Sequence, residues 1–100
     1  MPQSTATKRN VSRQPRRRSR ADLKLAIETA LRLKFQHDTV DISDGFEGNV
    51  HIIVVSRTFE RMSEKTRQAY LWKLVEQAHL TESEKDLITL VYAISPRELV

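Results

Sequence analysis

The chain contains no cysteine, only two glycines and no long apolar run. Without cysteine it can form neither a disulfide framework nor a thiolate metal site. Two glycines are too few for the repeated-glycine loops that cradle phosphates, and neither the dinucleotide-binding motif nor the P-loop motif occurs. No apolar segment approaches the roughly 18 residues that a membrane-spanning helix needs. We therefore expect a cytoplasmic protein that makes no contact with membranes.

Acidic residues are absent from residues 1–20, which contain seven basic ones. The other eighty residues contain ten basic and thirteen acidic side chains, a net charge of −3. The overall charge of +4 therefore arises in the N-terminal segment. Its polar composition and lack of periodicity predict a disordered basic arm over residues 1–19, followed by one small domain over residues 20–100. Solubility, partner binding and targeting all stay open as roles for this arm.

The spacing of apolar residues predicts six main elements. Steps of three and four residues predict helices over about 20–35 and 64–79, with Ser19 and Ser63 as N-caps. Alternating or β-branched segments predict strands over 38–43, 50–55 and 87–94. Both glycines fall between the first two strands and predict a hairpin loop there. A short helix over 81–86 is expected, because Thr81 and Glu84 match a capping box.

These elements predict an α+β fold, in which a single α-β-β-α-α-β domain forms a three-stranded sheet with helices on one face. A helix connects the second strand to the third, which permits these two strands to run parallel.

The residues that could support catalysis are scattered along the chain. No two of the histidines, His37, His51 and His79, have the spacing that places two imidazoles on one helix face. Acids cluster around the predicted hairpin, but no motif that would build a pocket accompanies them, and charged hairpin tips are common. We therefore expect a non-catalytic protein without a metal or a cofactor.

Basic residues return in the second half of the chain. Five of them, Arg57, Arg61, Lys65, Arg67 and Lys73, face only two acids in that segment. Helical spacing places Arg61 and Lys65 on one side of a turn and helix, where cations beside free amides can bind phosphate. This pattern is compatible with a nucleic-acid-binding surface, to which the arm would add salt-sensitive attraction. The alternative is an ordinary solvated helix face.

Three segments together resemble the BolA-like family. These are the segment 54–63 (VVSRTFERMS), the pair Tyr70–Leu71, and the segment 90–99 (LVYAISPREL). The family shows an apolar strand ending in V-S, then a Phe with a Gly two residues on and a Ser four on, and a last strand ending in T-P-x-E-W. The resemblance covers about residues 20–99 and includes the order of the elements. It implies a non-catalytic binding module whose fold is similar to a class II KH domain.

The chain departs from the family pattern at positions that matter for function. The turn glycine of the family is Arg61 here, and the signature histidine is Gln68. BolA-like proteins are partners of monothiol glutaredoxins, and that histidine helps to hold a shared iron–sulfur cluster. The resemblance therefore implies partner binding at Phe46, His51 and Gln68, but glutamine has no imidazole nitrogen, which argues against cluster sharing.

Two functions stay open from the sequence. One is a nucleic-acid-associated regulator, of the transcriptional and stress-response kind, that binds phosphate through the five basic residues. The other is a protein adaptor that docks a monothiol glutaredoxin through the hairpin and the turn-helix region.

Overall fold

A computed structural model describes residues 18–99. Within these residues the elements are α1 (Arg20–Arg32), β1 (Thr39–Asp44), β2 (Val50–Val55), α2 (Glu64–Val75), α3 (Glu82–Leu87) and β3 (Ile88–Ile94). Short 3₁₀ turns cover Phe46–Gly48, Arg57–Phe59, Glu76–Ala78 and Pro96–Leu99. The predicted α+β class and element order are confirmed. The disorder predicted for residues 1–17 lies outside the described residues.

The three strands form one mixed sheet in the order β1-β2-β3. β1 and β2 are antiparallel neighbours joined by the hairpin, and Asp41 lies opposite Ile53. β2 and β3 run parallel, and Ile53 lies beside Tyr92. The parallel pairing that a helical connection permits is therefore present, with α2 and α3 forming the connection between its two strands.

The core lies between the helices and one face of the sheet. On β2 every second side chain is fully buried, namely Val50, Ile52 and Val54. The helical contribution comes from the apolar faces of α1 and α2, which bury Leu23, Ile27, Leu31, Leu71 and Val75. Both long helices therefore pack against the same face of the sheet. The other face keeps its side chains half-buried or exposed, including Leu90 and Tyr92.

Side-chain caps begin each helix where the sequence indicates. The hydroxyl of Ser19 accepts the amide of Asp22 at 3.0 Å, and the hydroxyl of Ser63 accepts the amide of Thr66 at 3.2 Å. Thr81 and Glu84 form the predicted capping box. Each cap satisfies an amide that lacks a partner within its helix, which fixes where the helix starts.

The boundary between the arm and the domain lies earlier than predicted. Arg18, assigned to the disordered arm from sequence, forms a two-pronged ion pair with Glu84, at 2.7 and 3.0 Å. The same guanidinium donates to the carbonyls of Ala78 and His79, which follow α2. Arg18 therefore fastens the start of α1 to the junction between α2 and α3. Its partners are 60 or more residues away, so no local sequence pattern could reveal this contact.

Close packing explains one of the two hairpin glycines, and backbone conformation explains the other. A Cβ atom at Gly45 would overlap the imidazole ring of His51. Gly48 has a φ of 80°, a region that side-chain-bearing residues rarely adopt. Glu47 beside it is also left-handed, with a φ of 57°.

Candidate nucleic-acid interface

Three of the predicted basic residues lie along the segment that leads from the end of β2 into the first turn of α2. Arg57 lies in the turn Arg57–Phe59, Arg61 lies between this turn and α2, and Lys65 lies in the first turn of α2. All three are exposed, and none forms an ion pair with another residue in 18–99. We call these three residues the basic cluster. Their cationic groups are accessible to an anion from solvent.

Lys73 is exposed too, but it lies in the last turn of α2. It therefore stands two helical turns away from Lys65, beyond the basic cluster. A cation in that position interacts favourably with the negative end of the helix dipole, so its presence has a structural explanation.

Arg67 is not part of the accessible surface. Only 6% of this residue is exposed, and its guanidinium pairs with Glu98 at 2.8 Å. It also donates to the carbonyls of Met62 and Ala93. The hydrogen bond from Arg67, together with that from the amide of Ser95, holds the pKa of Glu98 below its ordinary value. Arg67 thus serves the interior, whereas the sequence pattern assigned it to phosphate binding.

Gln68, like Arg67, donates a side-chain hydrogen bond to a backbone carbonyl of β3. Its side-chain amide donates to the carbonyl of Val91 at 2.6 Å. Val91 and Ala93 belong to β3, an edge strand. The carbonyl of Ile94 points toward β2, where it accepts a hydrogen bond from the amide of Ser56. Because carbonyls alternate in direction along a strand, those of Val91 and Ala93 point to the open edge. Arg67 and Gln68 therefore occupy edge carbonyls of β3 that would otherwise be open to another strand.

The position of Lys65 in the first turn of α2 is electrostatically unfavourable for a cation. The amino end of α2 carries a partial positive charge, so cations there are unfavourable by about 0.3–1 kcal/mol each. Lys65 has Arg61 four residues before it, and Gln68 and Ala69 three and four residues after it. No acid therefore compensates Lys65 at the positions that face it along the helix. Helix stability does not explain a lysine here.

Acidic residues lie mostly away from the basic cluster. Four of them, Asp38, Asp41, Asp44 and Glu47, are on or beside β1 and its hairpin. β1 is the opposite edge of the sheet from β3, and α2 packs mainly against β3. Within the cluster itself, Glu60 is half-buried and Glu64 is exposed. The four carboxylates of β1 and its hairpin therefore lie toward the edge of the sheet opposite β3, whereas Glu60 and Glu64 lie beside the basic cluster.

Arg97 extends this basic region, and sequence reasoning missed it. It is exposed in the turn Pro96–Leu99, directly after β3. The amide of Ser56 donates to the carbonyl of Ile94 at 2.9 Å, so the segments that follow β2 and β3 run side by side. The carboxyl ends of parallel neighbouring strands always meet at one edge, and the parallel pairing that the helical connection permits was the signal that pointed to this position.

The three residues predicted to bind a protein partner lie at different places. Phe46 is 78% exposed at the hairpin, and the imidazole of His51 packs over nearby Gly45. Gln68 lies across the sheet on α2, where its amide is engaged by the strand carbonyl. The hairpin therefore brings two of the three together and leaves the third apart.

The described residues contain no grouping of three or more histidines and carboxylates that would suit a metal ion. His37 and His79 are exposed at element ends. An open apolar groove runs along α1 and is lined in part by Leu25 and Leu33. It contains no pair of titratable side chains that could act together as acid and base.

Comparison of the chain with protein-family models, with curated proteins and with solved structures finds no match. No helix within residues 18–99 has the length and apolar character needed to cross a membrane.

Proposed function

We propose that this protein is a non-catalytic nucleic-acid-binding module that holds the phosphate backbone with Arg57, Arg61 and Lys65. We further propose that it is a divergent member of the BolA-like family with an architecture similar to a class II KH domain. The element order and the mixed three-stranded sheet support this relationship. The short motifs after β2 and in β3 support it from the sequence.

The observation that carries the proposal is the uncompensated lysine at the amino end of α2. Arg61, which precedes α2, and Lys65, in its first turn, are exposed and without ion-pair partners among residues 18–99. A bound phosphate would add to the negative charge that this helix end favours, which Glu64 alone supplies within the first turn. The basic residues of the arm would add attraction of the same sign.

Docking of a monothiol glutaredoxin is the second candidate, and the exposed Phe46 favours it. The side-chain amide of Gln68 is already engaged, so such docking would depend on the hairpin surface rather than on a shared cluster ligand. Co-elution with a cluster-loaded monothiol glutaredoxin, and loss of co-elution in Phe46→Ser, is the expected result of this second proposal. An unchanged visible spectrum of the partner together with no co-elution would rule it out.

The nucleic-acid proposal is tested by the salt dependence of binding. The full chain is titrated with a fluorescent oligonucleotide, as single strand and as duplex, at several salt concentrations. Replacing Arg61→Gln and Lys65→Gln removes two phosphate contacts. The slope of log affinity against log salt should then become shallower by about 1.4 for a single strand or about 1.8 for a duplex.

Lys24→Gln with Lys85→Gln is the matched control, since it removes the same charge from other elements. These lysines pair with Asp44 and Glu82 and lie outside the basic cluster. We expect the control to leave the slope nearly unchanged. Equal changes in both double variants would show that only net charge matters and would overturn the proposed interface.

A further inference from the structure

One face of the sheet carries apolar side chains that no described element covers. The residues of β2 and β3 that point to this face, which we call the open face, are His51, Ile53, Val55, Leu90, Tyr92 and Ile94. Tyr92 is 47% exposed and Leu90 39% exposed. Tyr92 lies directly beside Ile53, so its ring extends an apolar platform of aliphatic side chains.

Two arginines border this platform at the carboxyl ends of its strands. Ser56 keeps an extended backbone, with φ −153° and ψ 143°, so Arg57 leaves the chain on the same side as Val55. Arg97 follows β3 at the same edge of the sheet, and it is exposed without an ion pair among residues 18–99. The edge of the sheet at which the open face ends therefore carries two cations, one of which belongs to the basic cluster.

We propose that the open face binds single-stranded nucleic acid, with one base stacked on the ring of Tyr92 and the adjoining phosphates held by Arg57 and Arg97. This inference rests on the proposed function and specifies the form of nucleic acid. A single strand combines apolar base faces with a regular line of negative charge. The open face offers the matching pair of an aromatic platform and a cationic border.

Charge distinguishes this occupant from the alternatives. The segment 1–17 of the chain contains five basic and no acidic residues, so it has the same sign as the border and does not complement it. In a duplex the base faces are already stacked, so Tyr92 would gain nothing from it. Asp41, on the far strand beside Ile53, would repel a backbone there and direct phosphates toward Arg57 and Arg97.

The test compares two substitutions of one exposed residue in the full chain. Tyr92→Phe keeps the ring, whereas Tyr92→Ser removes it. Loss of one base-stacking contact should weaken single-strand binding by roughly 5- to 150-fold, and Tyr92→Phe should bind within about twofold of the parent. Duplex binding should be weaker than single-strand binding in the parent and unchanged in Tyr92→Ser.

Each outcome separates this inference from the proposed function. If Tyr92→Ser leaves single-strand affinity unchanged while the salt slope still responds to Arg61 and Lys65, the phosphate interface stands and the stacking face does not. Amide chemical-shift changes confined to α2 would likewise overturn the stacking face alone. Shifts at Ile53 and Leu90 on adding a single strand would support the inference. If neither form of nucleic acid binds, both proposals fail.

Discussion

Replacing Lys65 by glutamate should stabilise the fold while it weakens nucleic-acid binding. Lys65 lies in the first turn of α2, where the helix dipole disfavours a cation and favours an anion. Its neighbours three and four residues away include Arg61 and no acid, so the substitution breaks no favourable pair along the helix.

The size of the gain follows from the charge reversal. One charge at a helix end contributes about 0.3–1 kcal/mol, and reversal both removes an unfavourable charge and adds a favourable one, giving about 0.6–2 kcal/mol. For a domain of this size the melting temperature should rise by about 3–15 °C. Near 1 M salt, where the screening length falls to about 3 Å, most of the gain should disappear.

Lys73→Glu is the matched control on the same helix. It changes net charge equally, but it lies in the last turn, where the dipole favours a cation and where Glu76 is three residues on. It should therefore lower the melting temperature. Thermal unfolding followed by circular dichroism, with oligonucleotide titration of the same samples, measures both effects. A destabilised Lys65→Glu would mean that Lys65 has a stabilising partner, and the main support for the interface would then be lost.

Three further predictions concern contacts inside the fold. Gln68→Met should lower the free energy of unfolding by about 1–3 kcal/mol and promote self-association, because it leaves the edge carbonyl of Val91 without its donor. Urea unfolding measures the first effect and sedimentation the second. An unchanged urea midpoint would contradict the prediction. The bonds from Arg18 hold the pKa of Glu84 below its ordinary value of 4.5, so this pair stabilises the fold fully above that pH and loses its contribution as the pH falls through the lowered pKa. The unfolding midpoint of Arg18→Gln should accordingly depend less on pH between about 5 and 2 than that of the parent, and parallel curves would refute the assignment. Gly45→Ala should destabilise the hairpin because of the His51 ring, and adding His51→Ala should recover much of the loss; additive effects in a double-mutant cycle would show that the ring is not the cause.

The main elements of the fold were accessible from sequence, because periodicity and capping are local signals. Predicted strand 50–55 coincides with β2, and the capping box at Thr81 marks the start of α3. Element ends were less accurate: the long second helix was expected to continue to about 79, but α2 ends at Val75 and gives way to a 3₁₀ turn. His79 then adopts a left-handed conformation, which ends the helical segment in a way that glycine more commonly does.

The candidate site was only partly predictable, because a side chain's partners need not be near it in sequence. Arg61 and Arg67 look alike in a charge count, yet one is exposed and the other reaches Glu98, which lies 31 residues further on. In the sequence Arg18 likewise looks like the other basic residues of the arm, and only the tertiary structure shows that it pairs with Glu84. Composition reports how many cations a segment has, whereas only the tertiary structure shows which of them are left for a ligand.

The two outer strands end the sheet by different means, and this has a consequence for association between chains. At the edge of β3, Arg67 and Gln68 donate hydrogen bonds to the carbonyls of Ala93 and Val91. The side-chain amide of Gln68 does not titrate, so its hydrogen bond does not depend on pH. Among the residues that the structure describes, β1 itself carries the acidic side chains Asp41 and Asp44, whose charge opposes pairing with another strand. Protonation of those carboxylates would weaken this repulsion, so acid should favour association of chains at β1 over association at β3. Asparagine at both positions should then favour the same association at neutral pH.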